Sequence, residues 1–317
     1  MRKEDKILKH NKQERQVIKN VKKSGQTLSP GMRLATNLFL IVAFIFFIGP
    51  IIWILILSFM NQAQITSWPP DLASGFTLDN YVSIFSRIGN IGEAVTEDLV
   101  MTKKVEKFVR ALGNTVVLSV SSVGISLLVG IPAAYGLSRF KNKTKETLAM
   151  MFMSFRFVPE LLTIVPLYLI YQRVGLYGTT GGLVWVYILI SLPLIIWISR
   201  IGFDDLPYDL EQAAMLDGYS RAKSFLKIIL PLAKPSIAAA TVLSFIYAWN
   251  NFMNGFVLSS GDSQPVTVAI LGFYDITGLN YGRIAAAVIL AILPPIIVSQ
   301  VASKYLVSGL SMGAVKR

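Results

Sequence analysis

The sequence predicts an all-α membrane protein that crosses a bilayer six times. Apolar residues make up 53% of the 317-residue chain, charged residues make up 15%, and the mean hydropathy is +0.57. Several apolar stretches are long enough to cross a hydrocarbon core, which takes roughly 20 helical residues. The basic residues behind the net charge of +12 cluster outside those stretches, as expected for charges that orient a membrane protein. Nucleic-acid binding is therefore not expected.

Residues 1–33 form a predicted cytoplasmic tail that is rich in Lys and Arg and has little apolar periodicity. A topology anchor is the favoured interpretation, and binding to anionic membrane lipid is the alternative. The tail lacks a short apolar run followed by a small-residue cleavage site, so no cleavable signal peptide is expected. The first predicted span runs from about Leu34 to Met60, and its Gly49-Pro50 pair predicts a kink.

Five further apolar stretches complete a predicted transmembrane domain at residues 34–306. They run from about Ala111 to Leu137, Leu148 to Tyr171, Leu183 to Ile201, Ser236 to Leu258 and Ile284 to Leu306. The predicted loops are an outer loop with short helices at 61–107, a cytoplasmic loop at 202–234 and an outer loop at 259–283. Basic residues after the second span place that end inside, so both termini, including the tail at 307–317, are expected in the cytoplasm. These residues are Arg139, Lys141, Lys143 and Lys145.

The residue types exclude several kinds of chemistry. Cysteine is absent, and the single histidine is His10 in the basic tail. Disulfides, thiolate or histidine metal sites and histidine-based triads are therefore not expected, and we predict neither a catalytic nor a metal site. The chain also lacks a Gly-x-x-x-x-Gly-Lys-Ser/Thr phosphate loop, so it is not predicted to hydrolyse ATP or to be an enzyme.

Residues 202–234 are too polar to span a membrane, and within them Leu210 to Lys227 predict an amphipathic helix-turn-helix. Gly218 permits a sharp turn between the two arms, and Pro231 and Pro235 are expected to stop the second arm. The apolar positions at helical spacing are Leu210, Ala213, Ala214, Leu216, Phe225, Leu226 and Ile229. A short helix with small side chains fits a partner's groove, while a helix lying on the inner leaflet is the alternative. These physical features alone leave the two interpretations nearly even.

The spacing within this loop resembles the EAA loop of permease subunits in bacterial ABC importers. The pattern is Gln212-Ala213-Ala214, three residues, Gly218, nine residues, and then Ile228-Ile229-Leu230-Pro231. The resemblance extends along most of the chain and is closest to the six-helix, MalG-like carbohydrate permeases. Further matching segments are Asn114-Thr115, Ala133-Ala134-Tyr135-Gly136-Leu137-Ser138-Arg139, Pro166-Leu167-Tyr168, Leu192-Pro193, Gly309-Leu310 and Gly313-Ala314-Val315-Lys316. The basic tail and the outer loop at 88–106 fall outside it.

The resemblance implies the type I ABC importer permease fold and a set of partners. These are a second permease in a heterodimer, two ATP-binding subunits that hold ATP and Mg, and an extracytoplasmic solute-binding protein. No cofactor is implied for this chain itself. The implied substrate is a carbohydrate, in particular an oligosaccharide, which crosses the bacterial cytoplasmic membrane by alternating access. No residue in the sequence identifies the sugar.

The resemblance also implies that nine loop residues couple the permease to its ATPases. They are Glu211, Gln212, Ala213, Ala214, Asp217, Gly218, Ile228, Leu230 and Pro231. The family's glutamate falls at Gln212 in this chain. A salt bridge at that interface position is therefore not assured, although Glu211 is available to replace the missing carboxylate.

Polar residues in the fifth predicted span are our expectation for the substrate path. They are Tyr247, Trp249, Asn250, Asn251 and Asn254. Aromatic faces and amides suit sugar hydroxyls, but amides that hold helices together are an equally good interpretation. The family usually shows Trp-Asn-Glu-Phe where this chain has Trp249-Asn250-Asn251-Phe252, so no carboxylate contact is assumed. On the third span, Arg156 and Glu160 are four residues apart and are expected to form a structural ion pair.

Two other function classes compete with an importer permease. An ion- or proton-driven secondary carrier shares six helices and midplane polar residues, but its uptake would persist without ATPases. The EAA-like loop and the scarcity of buried carboxylates favour the importer. A membrane-embedded enzyme would need convergent catalytic groups, which Arg156 and Glu160 alone do not supply. In the outer loops, Tyr274, Asp275 and Tyr281 are either contacts for a binding protein or, as we favour, interfacial anchors.

Overall fold

A computed structural model describes residues 30–85, 96–139, 144–273 and 280–312 of the chain. In these ranges the regular secondary structure is helical and contains no strand, so the predicted all-α class is confirmed. Several predicted features lie outside the described residues. They are most of the basic tail, much of the outer loop at 88–106, Lys141, Lys143, Tyr274, Asp275 and the final residues 313–317.

The α-helices are α1 Pro30–Ser58, α2 Gln62–Thr66, α3 Asp79–Phe85, α4 Thr96–Arg139, α5 Lys145–Ser154, α6 Glu160–Arg173, α7 Thr180–Asp204, α8 Asp209–Leu216, α9 Arg221–Ser224, α10 Leu230–Leu232, α11 Lys234–Trp249, α12 Met253–Leu258, α13 Val266–Ala269 and α14 Tyr281–Met312. Three short 3-10 segments occur at Phe155–Phe157, Gly261–Ser263 and Ile270–Phe273. A π-helical turn at Phe225–Ile229 joins α9 to α10.

The chain divides into two structural units, Met1–Ile54 and Leu55–Arg317. The described part of the first unit is the larger part of α1, an apolar helix that continues through Pro50. The second unit contains the remaining helices and the residues that concern function. Its core lies between α4, α7 and α11.

Among the described residues, four helices are long and apolar enough to cross a membrane. They lie at Gly31–Ser58, Glu106–Arg139, Thr180–Asp204 and Tyr281–Ala302. Two bent helix pairs bring the total to six if each pair is counted as one span. They are Lys145–Phe157 with Glu160–Arg173, bent by 88°, and Arg221–Leu232 with Lys234–Trp249, bent by 72°. The third predicted span is therefore not one continuous helix, and helix α11 of the fifth ends at Trp249 instead of Leu258.

Two helices extend beyond the predicted spans. Helix α4 already begins at Thr96, inside the predicted outer loop at 61–107, and α14 continues to Met312, inside the predicted tail at 307–317. An apolar run in the sequence identifies only the part of a helix that lies in hydrocarbon. It does not predict polar extensions at the ends of that helix. The short helices expected in the first outer loop are present as α2 and α3.

The bend in the third span is centred on Pro159. A residue that precedes proline avoids the α conformation, and Val158 is extended, with φ −69° and ψ 122°. Helix α6 then restarts at Glu160, so Arg156 and Glu160 do not share one helix face. No ion pair joins these two described side chains. The prediction of that pair is wrong, because it assumed an unbroken helix.

Close packing of α4 on α7 forms the largest part of the core in the described chain. Leu118 of α4, Leu183 and Ile195 of α7, and Ala240 of α11 are fully buried there. A Cβ on Gly130 of α4 would lie 2.9 Å from a side-chain carbon of Ile195, so a small residue is needed for the two backbones to approach. This core supports α11, whose last turn carries Tyr247 and Trp249 of the residues predicted for the substrate path.

Candidate functional site: an exposed loop and a cavity

The first arm of the 202–234 loop is α8, which ends in a sharp turn. After Leu216 the chain reaches Gly218, whose φ of +84° would be strained for any residue with a side chain. Ser220 begins the second arm as an N-cap, because its hydroxyl oxygen accepts a hydrogen bond from the backbone N–H of Lys223 at 3.3 Å. The predicted helix-turn-helix is confirmed.

The second arm ends later than predicted. It consists of α9, the π-helical turn Phe225–Ile229 and α10, which contains Pro231. A proline is tolerated in the first turn of a helix, where its missing N–H is not needed. The chain bends by 72° around Ala233, and α11 begins at Lys234. Pro231 therefore does not stop the arm.

The nine residues predicted to couple to an ATPase divide by their exposure. Glu211 and Ala214 are buried, whereas Ile228 and Leu230 are partly buried. The exposed ones are Gln212, Ala213, Asp217, Gly218 and Pro231. Leu216, which periodicity had assigned to the apolar face of the helix, is 89% exposed. We call Gln212, Ala213, Leu216, Asp217 and Gly218 the loop tip. It presents small, amide and apolar groups with one carboxylate.

Glu211 is directed into the protein instead of toward the loop tip. Its side chain is only 1% exposed. The hydroxyl of Tyr135 donates a hydrogen bond to one carboxylate oxygen, and Arg139 Nε lies 3.2 Å from the other. Arg139 also donates from Nη2 to the backbone carbonyl of Leu206 at 3.1 Å. Because its carboxylate is occupied and buried, Glu211 does not replace the missing glutamate on the exposed surface.

Sequence reasoning missed the contact between Glu211 and α4. The available signal was the spacing of Tyr135 and Arg139, which are four residues apart and so lie on one helix face. Both belong to the segment Ala133–Arg139, which matches the family. Their partner is 72 positions or more further along the chain, beyond the reach of local periodicity.

A cavity of about 650 Å³ opens beside the C-terminal half of α11. Three of the five residues predicted for the substrate path line it, namely Tyr247, Asn250 and Asn251. The remaining wall residues are Arg156, Glu160, Leu194, Leu243, Ile246, Phe252 and Met253. In the part of the chain that the structure describes, no group of three or more His, Cys, Asp and Glu side chains is placed to hold a metal ion.

Tyr247 connects the polar groups of this cavity. The guanidinium of Arg156 lies 4.6 Å from the centroid of its ring. Its hydroxyl donates to Glu160 Oε1 at 3.3 Å, and Asn251 Nδ2 donates to the same oxygen at 3.4 Å. Arg156 and Glu160 thus both contact Tyr247 but do not contact each other. The cavity wall combines an aromatic face with donors and acceptors of both kinds.

Trp249 and Asn254 lie outside the cavity wall. Trp249 is 2% exposed, and its indole N–H donates to the backbone carbonyl of Ala291 on α14 at 3.0 Å. Asn254 is 4% exposed and donates from Nδ2 to Asn251 Oδ1 at 3.2 Å. Trp249 thus joins α11 to α14, whereas the bond of Asn254 is local to the segment that follows α11.

A family model described as "Binding-protein-dependent transport system inner membrane component" matches residues 126–312, which is more than half of the chain. The chain belongs to this family. The matched range of the permease contains Tyr135, Arg139, the 202–234 loop and all residues of the cavity wall. The resemblance to ABC importer permeases is confirmed, and the protein is a multi-pass membrane protein.

Characterised relatives cover nearly the same length as this permease. The trehalose transport system permease protein SugB of Mycobacterium tuberculosis is 30% identical over 272 residues, which cover 84% of this chain and 92% of SugB. The trehalose/maltose transport system permease protein MalG of Thermococcus litoralis is 30% identical over 273 residues, 84% of this chain and 91% of MalG.

A solved structure has the same fold. It is described as a bacterial ABC transporter involved in the import of the acidic polysaccharide alginate. One of its chains matches with a TM-score of 0.65 and 21% identity, and the match covers 87% of this permease and 98% of that chain. The predicted ABC importer permease fold is therefore confirmed.

Proposed function

We propose that this permease moves a carbohydrate, in particular an oligosaccharide, across the bacterial cytoplasmic membrane by alternating access that two partner ATPases drive. The exposed loop tip is the observation that carries this proposal. A leucine that is 89% exposed beside an exposed alanine and a glycine turn forms a protruding surface that fits a protein groove. For the first arm the alternative, a helix lying on the inner leaflet, is disfavoured because exposed Asp209 and Asp217 would face anionic lipid headgroups; the exposed Arg221, Lys223 and Lys227 lie on the second arm.

The partners follow from this role. ATP and Mg belong to the two ATP-binding subunits in this proposal, and the loop tip enters a groove on one of them. A solute-binding protein delivers the substrate on the outer side, in keeping with the family's description as binding-protein-dependent. A second permease completes a heterodimer. The 202–234 loop and both termini then lie in the cytoplasm, as the charge bias of the sequence predicts.

The cavity supports a carbohydrate as the substrate. Its volume of about 650 Å³ lies within the roughly 300–1,000 Å³ of typical ligand sites. The rings of Tyr247 and Phe252 offer faces for sugar C–H groups, and the amides of Asn250 and Asn251 suit hydroxyl groups. The names of the relatives SugB and MalG point the same way, since both refer to disaccharide transport.

Assembly with the ATPases tests the docking role. We expect Ala213→Asp to lose ATPase subunits when the tagged permease is purified from membranes, because it places a second charge on the loop tip. Ala73→Asp is the matched control. Ala73 is also exposed, but it lies between α2 and α3, in the predicted outer loop. Retention of the ATPases by Ala213→Asp at the level of the control would refute the docking role.

Uptake into proteoliposomes tests the transport role and the rival secondary carrier. Reconstituted permeases, ATPases and binding protein are expected to accumulate a radiolabelled oligosaccharide only with ATP, and an ionophore that collapses ion gradients should leave uptake unchanged. Tyr247→Phe removes the hydroxyl that reaches Glu160 and is expected to raise the KM or lower the rate of uptake without changing assembly. Uptake that needs an ion gradient but no ATPase would support the rival carrier instead.

A further inference from the structure

Tyr135, Arg139 and Glu211 form a buried polar cluster between α4 and α8, which we call the α4–α8 clasp. The side chain of Glu211 is 1% exposed and that of Arg139 is 10% exposed. Tyr135 donates to one oxygen of the carboxylate, and Arg139 approaches the other at 3.2 Å. Both ionised groups are therefore largely removed from water. They pair by charge, and Tyr135 supplies the hydrogen bond to Glu211.

The clasp also reaches the two segments that flank α8. The ring of Tyr135 lies 5.8 Å from that of Phe203 at the end of α7, and 4.5 Å from that of Phe225 in the π-helical turn. Arg139 donates to the carbonyl of Leu206, between α7 and α8, at 3.1 Å. One helix face of α4 thus contacts the segment before α8, α8 itself and the segment after it.

Stability alone does not explain a buried ion pair at this position. A well-packed apolar group of similar volume is often as stable as a buried pair, because the pair loses the hydration of both charges. The contacts nevertheless have a defined geometry, because Tyr135 donates a hydrogen bond to one oxygen of Glu211 while the charge of Arg139 lies beside the other. The clasp therefore fixes the orientation of α8 relative to α4, which an apolar contact would leave free to slide.

We propose that the clasp makes α8 and α4 move as one rigid body, with Tyr135, Arg139 and Glu211 acting as positioning residues that transmit motion of the loop tip to the membrane helices. This inference rests on the proposed docking of the loop tip to an ATPase. The tip and the clasp lie on different sides of α8, since Gln212 and Ala213 are exposed whereas Glu211 is buried. Contact with the ATPase and transmission to α4 are thus assigned to different side chains.

The ratio of sugar transported to ATP hydrolysed tests the clasp in the reconstituted complex. We expect the Glu211→Gln permease to retain its ATPase subunits, because the loop tip is unchanged. The ATPase subunits of this complex should still hydrolyse ATP. The transport ratio should fall at least about fivefold, the lower end of typical coupling between two sites. Glu146→Gln is the matched control, since it removes a carboxylate from the Arg200 pair that joins α5 to α7 without touching α8.

The outcomes separate the clasp from the docking role. A wild-type transport ratio in Glu211→Gln would overturn the clasp, while the Ala213→Asp test of docking would stand. Recovery of the ratio when Arg139→Glu is combined with Glu211→Arg would support the clasp, because the pair is restored with reversed charges. Failure of Ala213→Asp to release the ATPases would instead refute the docking role, whatever the clasp variants do.

A distance measurement tests the rigid body with the clasp residues intact. The chain has no cysteine, so spin labels attach only at introduced positions. Leu128→Cys on α4 and Asp209→Cys on α8 are exposed sites outside the clasp and the loop tip. We expect the same narrow distance distribution by electron paramagnetic resonance in the nucleotide-free and the ATP-bound complex. A distance that changes between these two states would overturn the inference.

Discussion

Gly202 and Ser236 bring the two ends of the 202–234 loop together, and a methyl group at Gly202 should push them apart. Gly202 lies in the last turn of α7, and Ser236 lies in the first turn of α11. A Cβ on Gly202 would lie 2.3 Å from the Cβ of Ser236 and 2.5 Å from its Oγ. Carbon atoms in contact are normally about 3.5–4.0 Å apart, so α7 and α11 must separate by more than about 1 Å.

The expected cost follows from two opposing effects. Overpacking of a well-packed contact costs about 1–3 kcal/mol, while alanine in a helix is favoured over glycine by about 0.5–1 kcal/mol. Gly202→Ala should therefore lower the free energy of unfolding by up to about 2.5 kcal/mol. Gly124→Ala on α4 is the matched control, because nothing lies within 4 Å of the added Cβ. Only the preference of a helix for alanine over glycine applies there, so Gly124→Ala should be slightly more stable than the wild-type protein.

Unfolding in mixed detergent micelles, followed by tryptophan fluorescence, measures both variants. Ser236→Gly removes the atoms that the new methyl group meets, so the double variant should be more stable than the sum of the single changes predicts by about 1 kcal/mol or more. Equal stability of Gly202→Ala and Gly124→Ala would refute the close contact. If the effects of the Gly202 and Ser236 changes on the free energy of unfolding are additive, the close contact is not between these two residues.

Three further predictions concern separate parts of the molecule. Trp249→Phe leaves the buried carbonyl of Ala291 without its donor, so the free energy of unfolding should fall by about 1 kcal/mol while the KM of uptake stays unchanged; a raised KM would place the indole in the substrate path after all. Hydrogen bonds from the hydroxyl and backbone N–H of Ser74 hold the pKa of Asp71 below its ordinary value. The stability that they contribute is therefore present above that ordinary value and is lost as the pH falls through the lowered pKa; a carboxyl titration by NMR with a midpoint at or above the ordinary value would contradict those bonds. Gln212→Glu adds a second carboxylate to the loop tip, which an ATPase matched to the native amide would leave unpaired, and should weaken binding of the ATPase, measured as dissociation in purified complexes; unchanged affinity would place Gln212 outside the contact.

The fold class and the loop could be predicted because both rest on local patterns. Long apolar runs identify membrane helices whatever surrounds them, and the loop between two of those runs was too polar to be a further span. Gly218 was recognisable as the turn because a positive φ favours glycine. Residue identities at family spacing then favoured a docking loop over an interfacial helix, which periodicity alone did not.

The local environments of single side chains could not be predicted in the same way. Arg156 and Glu160 were paired on the assumption of a continuous helix, and the break at Pro159 separates them. Leu216 was assigned to the apolar face, but the turn at Gly218 leaves it exposed. The burial of Glu211 depends on α4, far away in the sequence. In each case tertiary geometry decides an environment that spacing along the chain does not specify.

The π-helical turn at Phe225–Ile229 has a consequence for how the chain tolerates changes in length. A π turn contains one residue more than an α turn, and each residue of a helix advances the chain by about 100° around the axis. Because α11 leaves the second arm at 72°, deleting one residue here would swing α11 around that axis and out of its place beside α7. Tyr247 and Asn251 would be carried away from Glu160. The wide turn thus sets the direction of a membrane helix, and single-residue deletions at Phe225–Ile229 should be far less tolerated than substitutions at its exposed positions.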